Sequence, residues 1–182
     1  MTTVTTRMRK KMGPFLPEIY PFPFFGSDTP DDVCEKECLK EMQRAFDTYL
    51  PADDVAAVII EPVQGDGGLI PAHPIFMKKL YELCQKHGIL FISEEVQQAF
   101  YRTGKMYGIE HYDIVPDGII LGKSVGAGLT LGAFMARDEI MDCLPAPAHL
   151  FTLGGNALAC SAGIAAFDYM QTEEFQNILK TN

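Results

Sequence analysis

Residues 55–63, VAAVIIEPV, form a β-branched apolar run without polar alternation, and this feature removes most folds from consideration. A strand with one wet face alternates apolar and polar side chains. A strand without alternation predicts cover on both faces, as for a parallel strand between helix layers. Parallel strands need long crossovers, and the sequence supplies one. From Pro74 to His87, Met77, Leu80, Leu83 and Cys84 share a helical face, with proline at the start and Gly88 after the end. ILFI (89–92), GIIL (118–121) and LGAFMA (131–136) predict three further buried strands. The alternation predicts an α/β fold, a mainly parallel sheet with flanking helices, whose ligands bind beyond the carboxyl ends of the strands.

The flanks are less regular. Pro14, Pro17, Pro21, Pro23 and Pro30 exclude helix and central strand, so residues 1–30 predict an irregular proline-rich lead-in. Between Asp31 and Leu50, Val33, Cys38, Leu39, Met42, Ala45, Phe46 and Tyr49 recur at helical spacing, predicting one amphipathic helix with Asp31 and Asp32 at its start. After the turn TLGG (152–155), Leu158, Ala162, Ala165, Ala166 and Tyr169 predict the buried face of a helix from Asn156 to about Met170. Residues 31–175 thus read as the body of one domain, and 176–182 as a tail.

Composition excludes several partners. With 24 acidic against 15 basic residues the net charge is −9, which repels nucleic acid phosphates and anionic membranes. The longest apolar run, Val55 to Ile60, falls far short of the roughly 20 residues that span a bilayer. The basic start MTTVTTRMRKKMG is followed by no apolar central region, so a cytoplasmic protein is expected. Cys34, Cys38, Cys84, Cys143 and Cys160 show no metal-ligand spacing and read as reduced thiols; Cys34 and Cys38, one helical turn apart, have no further ligand nearby. His73, His87, His111 and His149 read as surface or supporting residues.

Lys123 follows a buried strand and precedes Ser-Val-Gly-Ala-Gly. Nearby glycines leave room for a flat ligand, and partial burial would favour a neutral, nucleophilic amine. A solvated lysine at a strand end is the other reading, and spacing alone leaves both open. Glu94 and Glu95 close the neighbouring strand.

EPVQGDGG (61–68), ISEEVQQAFYRTGK (92–105), PDGIILGKSVGAGLTLGA (116–133) and TLGGNALAC (152–160) together resemble, in order and spacing, the class-III aminotransferases, a family of fold type I enzymes dependent on pyridoxal 5'-phosphate (PLP). The nearest branch in look is that of the branched-chain amino-acid epimerases of lactic acid bacteria. The resemblance implies an incomplete PLP-binding large domain and a homodimer acting on amino acids, by amino-group transfer or by Cα epimerisation. It makes Lys123 the Schiff-base lysine and catalytic base. Glu94 pairs with the pyridine nitrogen, where the family usually has aspartate, with Glu95 as the alternative partner. By the same resemblance Val96 would pack behind the ring, Gln97 would lie near its phenolic oxygen, and Thr152 would reach the phosphate of the partner subunit's cofactor. Asp66, where glutamate is usual, is either a turn residue or the second base that epimerisation requires. Ala157 replaces a common proline. A full enzyme of this kind is more than twice as long, so the resemblance also implies a fragment, and an isolated chain lacking activity is the competing expectation.

Overall fold

Residues 9–181 are described by a computed structural model, so the first eight residues of the expected lead-in and Asn182 lie outside the described residues. In chain order the elements are α1 (Asp31–Glu37), α2 (Lys40–Thr48), β1 (Ala57–Ile60), β2 (Val63–Gln64), β3 (Ile70–Pro71), α3 (Pro74–His87), β4 (Leu90–Glu94), β5 (Gly118–Leu121), β6 (Ala133–Ala136), α4 (Asp138–Met141), α5 (Ala157–Met170) and α6 (Glu173–Thr181). The sheet has the order β1-β4-β5-β6. The first three strands are parallel, with Ile60 opposite Ser93 and Glu94 opposite Ile120.

The apolar run at 55–63 divides because Pro62 has no N–H to give a ladder. Beyond it, β2 and β3 form a short antiparallel ribbon whose base is held by the Tyr112 hydroxyl, donating to the carbonyls of Pro62 (3.0 Å) and Ala72 (2.9 Å). β6 pairs antiparallel with β5, Leu121 opposite Ala133 and Gly118 opposite Ala136. The link 122–132 is too short for a crossover helix, which explains the reversal. The strand predicted from residue 131 starts two residues later for the same reason.

The core lies between the sheet and α1, α2 and α3, where Cys34, Met77, Cys84 and Phe91 are fully enclosed. The helix predicted over 31–50 is two helices. Leu39, at φ −112° and ψ 3°, leaves helical geometry, and the break keeps Cys34, Cys38, Met42 and Ala45 all buried. Of the two readings of His73, surface or supporting, the structure gives the second. The residue is buried, and its Nδ1 accepts from Ile75 N (3.2 Å), capping α3, while Nε2 lies 3.2 Å from Asp31 Oδ1.

Two expectations of cover fail. Ile59 on β1 and Phe134 and Met135 on β6 remain exposed, so this chain does not bury its sheet on both faces. On α5 the face predicted to be buried carries Leu158 and Tyr169 in the open, and only Ala159 is enclosed. The helix meets the rest of the chain through small residues; a Cβ on Gly163 would sit 2.5 Å from the Val125 carbonyl oxygen. The expected tail is largely helical, as α6, whose Phe175 packs against Tyr169 and Tyr101.

Candidate active site

Because β1, β4 and β5 run parallel, their carboxyl ends emerge along one edge of the sheet. That edge carries Glu61, Glu94 and Lys123. After β5 the chain tightens into a 3₁₀ turn, Lys123–Gly126, with Lys123 (φ 46°) and Ala127 (φ 49°) both in the left-handed region. Such backbone costs roughly 1–3 kcal/mol per non-glycine residue and persists only where surroundings enforce it. Val96 is part of that enforcement, since a Cβ on Gly122 would lie 3.1 Å from Val96 Cγ1.

Lys123 is exposed rather than partly buried, which corrects the expectation of a desolvated amine. Its Nζ donates to Gln97 Oε1 at 2.8 Å. With Gly128, Leu129, Thr130 and Leu131 it lines an open cavity of about 300 Å³. Pockets of that size are at the lower end for small ligands.

The two glutamates ending β4 divide their roles. Glu94 is half-buried, and its Oε1 accepts from Val96 N at 3.0 Å. Burial pushes its pKa above the ordinary glutamate value; the Val96 N–H and Lys123 pull it down, while the Glu61 carboxylate adds to the rise. Glu95 is fully enclosed and accepts from Ser93 Oγ (3.0 Å), Gly108 N (2.8 Å) and Ile109 N (2.8 Å). Its carboxylate is committed to pinning the loop after β4, which removes it as the alternative ring partner.

Asp66 occupies the exposed tip (66–69) of the β2–β3 ribbon, next to buried Gly65. That tip touches the site through its neighbour, because a Cβ on Gly65 would lie 2.4 Å from Gln97 Oε1. Thr152 lies in the exposed turn before α5 and is not among the residues lining the cavity at Lys123. Asn156 caps that helix by accepting from Leu158 N and Ala159 N, both at 3.1 Å. Lys123, Gln97, Val96 and Glu94 therefore come together, Asp66 is one residue removed, and Thr152 stands apart on the surface.

Sequence reading missed Glu61, whose Oε2 accepts from Gly65 N at 2.7 Å, and buried Gln98, whose amide donates to the Val63 carbonyl. A signal for Glu61 was present: an acidic residue between a buried strand and a proline stands where parallel strands place ligands. Gln98 had none beyond its neighbours.

Residues 1–181 match the family description "Aminotransferase class-III". The chain is 41% identical to an isoleucine 2-epimerase of Lentilactobacillus buchneri, covering 91% of this chain and 38% of that protein. It is 36% identical to a probable 4-aminobutyrate aminotransferase of Bacillus subtilis (strain 168), covering 95% and 41% respectively. A Bacillus anthracis aminotransferase crystal structure superposes with a TM-score of 0.81 at 32% identity, over 96% of this chain and 40% of that one. The chain thus spans about two fifths of the length of these relatives. With an acidic residue and a lysine ending adjacent parallel strands, and with homology along nearly its whole length, this chain belongs to the class-III aminotransferase family.

Proposed function

We propose that this chain is the lysine-bearing part, residues 31–175, of the large domain of a PLP-dependent enzyme acting on amino acids, with Lys123 as its covalent lysine and proton carrier. The observation that carries the reading is the Lys123 amine, held by Gln97 at the mouth of a cavity, with the Glu94 carboxylate ending the adjacent strand.

The residues present fit the cofactor. Glu94 is a half-buried carboxylate whose ionisation Lys123 only partly supports, which suits it to a cationic ring nitrogen. Such an opposite charge raises the partner's pKa by about 1–3 units. Val96 offers an apolar wall next to Gly122. When bound, PLP supplies an electron-withdrawing ring that makes the Cα proton of an amino acid acidic. Lys123 Nζ is the group available to take and return that proton, and Gln97 Oε1 orients it by accepting its hydrogen bond.

Moving a proton on one face needs one base, and amino-group transfer is satisfied by Lys123. Epimerisation needs a base on each face. Asp66 is the candidate for the second, supported by the contact of adjacent Gly65 with Gln97 and by the similarity to an isoleucine 2-epimerase. Thr152, exposed beside the Gly154–Gly155 turn, is suited to a phosphate held by a second subunit, so a homodimer is part of the proposal. A cytoplasmic location accords with the five free cysteines.

Titration of the chain with PLP, with and without Lys123→Ala, tests the assignment: an absorbance band that depends on the lysine is expected, and its absence from the unsubstituted chain overturns it. In the loaded protein, Asp66→Asn is expected to remove epimerisation of a single-enantiomer amino acid and to spare amino-group transfer. Unchanged epimerisation would sink the two-base assignment.

A further inference from the structure

We propose that Glu61 is a positioning residue for Lys123, acting through the Gly65 backbone and the Gln97 side chain. The proposal rests on the reading of Lys123 given above. Two hydrogen bonds and one close approach carry it. Glu61 Oε2 accepts from Gly65 N at 2.7 Å, which folds the chain back immediately after β1 and Pro62. Gly65 then lies so close to Gln97 that an added Cβ would sit 2.4 Å from Oε1, 2.8 Å from Cδ and 3.2 Å from Nε2. A side chain at position 65 would have to displace the Gln97 amide, so the bare Gly65 backbone leaves the space in which that amide rests. Gln97 Oε1 in turn accepts from Lys123 Nζ at 2.8 Å. The path crosses the ends of β1, β4 and β5 in order, and Gly65 is itself buried.

The same carboxylate acts by charge. Glu94, on the central strand of the three, is held toward its neutral form by Glu61 and toward its ionised form by Lys123. Removing Glu61 therefore alters both the seat of the lysine and the balance at its neighbour. A residue that merely closed a turn would do neither.

The experiment reads Lys123 in the whole chain without cofactor. Lysines are reductively methylated with ¹³C-formaldehyde, the Lys123 resonance is assigned by its loss in Lys123→Arg, and its position is compared among variants at one pH. Glu61→Ala and Gly65→Ala are expected to move that resonance by more than its linewidth and to weaken PLP capture at least fivefold. Glu61→Gln, whose amide oxygen still accepts from Gly65 N, is expected to restore capture to within twofold of the parent chain. Folded alanine variants with an unmoved resonance overturn the proposal. Should those variants not fold, a double-mutant cycle of Glu61→Met, which keeps the bulk but has no oxygen to accept from Gly65 N, with Gln97→Leu decides: coupled effects on the Lys123 resonance support the relay, and additive effects overturn it. Loss of the parent reading looks different, because PLP capture would then be absent from the unsubstituted chain or survive Lys123→Arg, whatever the resonances do.

Discussion

At the end of β4 two adjacent glutamates meet opposite demands. Glu95 is enclosed yet receives three donors, two of them backbone N–H groups of the 3₁₀ turn Gly108–Tyr112, so its charge is spread over hydrogen bonds. Glutamine at this position would set an NH₂ group against N–H donors. Glu95→Gln is expected to lower stability by about 2–3 kcal/mol, read as a fall in urea midpoint; a change below measurement error would show that the turn docks without it. Glu94 is tested by pH. Its folded-state pKa lies above the ordinary 4.5, chiefly through burial. Between that value and the raised one the folded chain keeps a proton that the unfolded chain has released, so stability falls as pH rises through this window. Glu94→Gln removes that contribution and is expected to make the fall shallower. An unaltered slope would assign it to Glu95, whose pKa is raised for the same reason. Lys123 was singled out by the resemblance of its motif, since its position after a buried strand and before glycines left a solvated lysine equally open. The Glu61 to Gly65 bond was not, because it depends on a chain reversal that Pro62 and the ribbon create in three dimensions.

Helix α5 shows what periodicity reveals and what it hides. Its extent was readable from the alanine-rich pattern after the TLGG turn, but its buried side was not. Side-chain size is the usual guide to burial; here the close contact uses the residues that lack it, Gly163 against Val125 and Ala159 in the interior. The helix thereby seats directly on the turn that holds Lys123. Gly163→Ala is expected to push α5 off that turn at a cost of about 1–3 kcal/mol, despite alanine's higher helix propensity, which alone predicts a gain of ~1 kcal/mol. The sign of the stability change separates the two effects, and faster proteolysis between residues 127 and 156 would show where the loss falls. The break between α1 and α2 was equally hidden, since Cys34, Cys38, Met42 and Ala45 keep helical spacing across it.

Over the whole chain the apolar surface is unevenly covered. The side facing α1, α2 and α3 forms a closed core, while Ile59, Phe134, Leu150, Phe151, Leu153, Leu158 and Ile164 stay exposed. Sequence patterning identified these residues as apolar but gave no means of telling which would find a partner inside 182 residues. Groups already in water contribute little to folding and much to self-association, which the net charge of −9 opposes. Ile164→Lys, at a position 62% exposed, is therefore expected to change stability by no more than about 0.5 kcal/mol and to lower light scattering at high protein concentration. Adding salt to the unsubstituted chain should raise scattering, because screening removes the repulsion and leaves the apolar contact intact. If Ile164→Lys instead lowers the unfolding midpoint in step with protein concentration, the α5 surface is buried in a folded oligomer, and its exposure belongs to the separate chain alone.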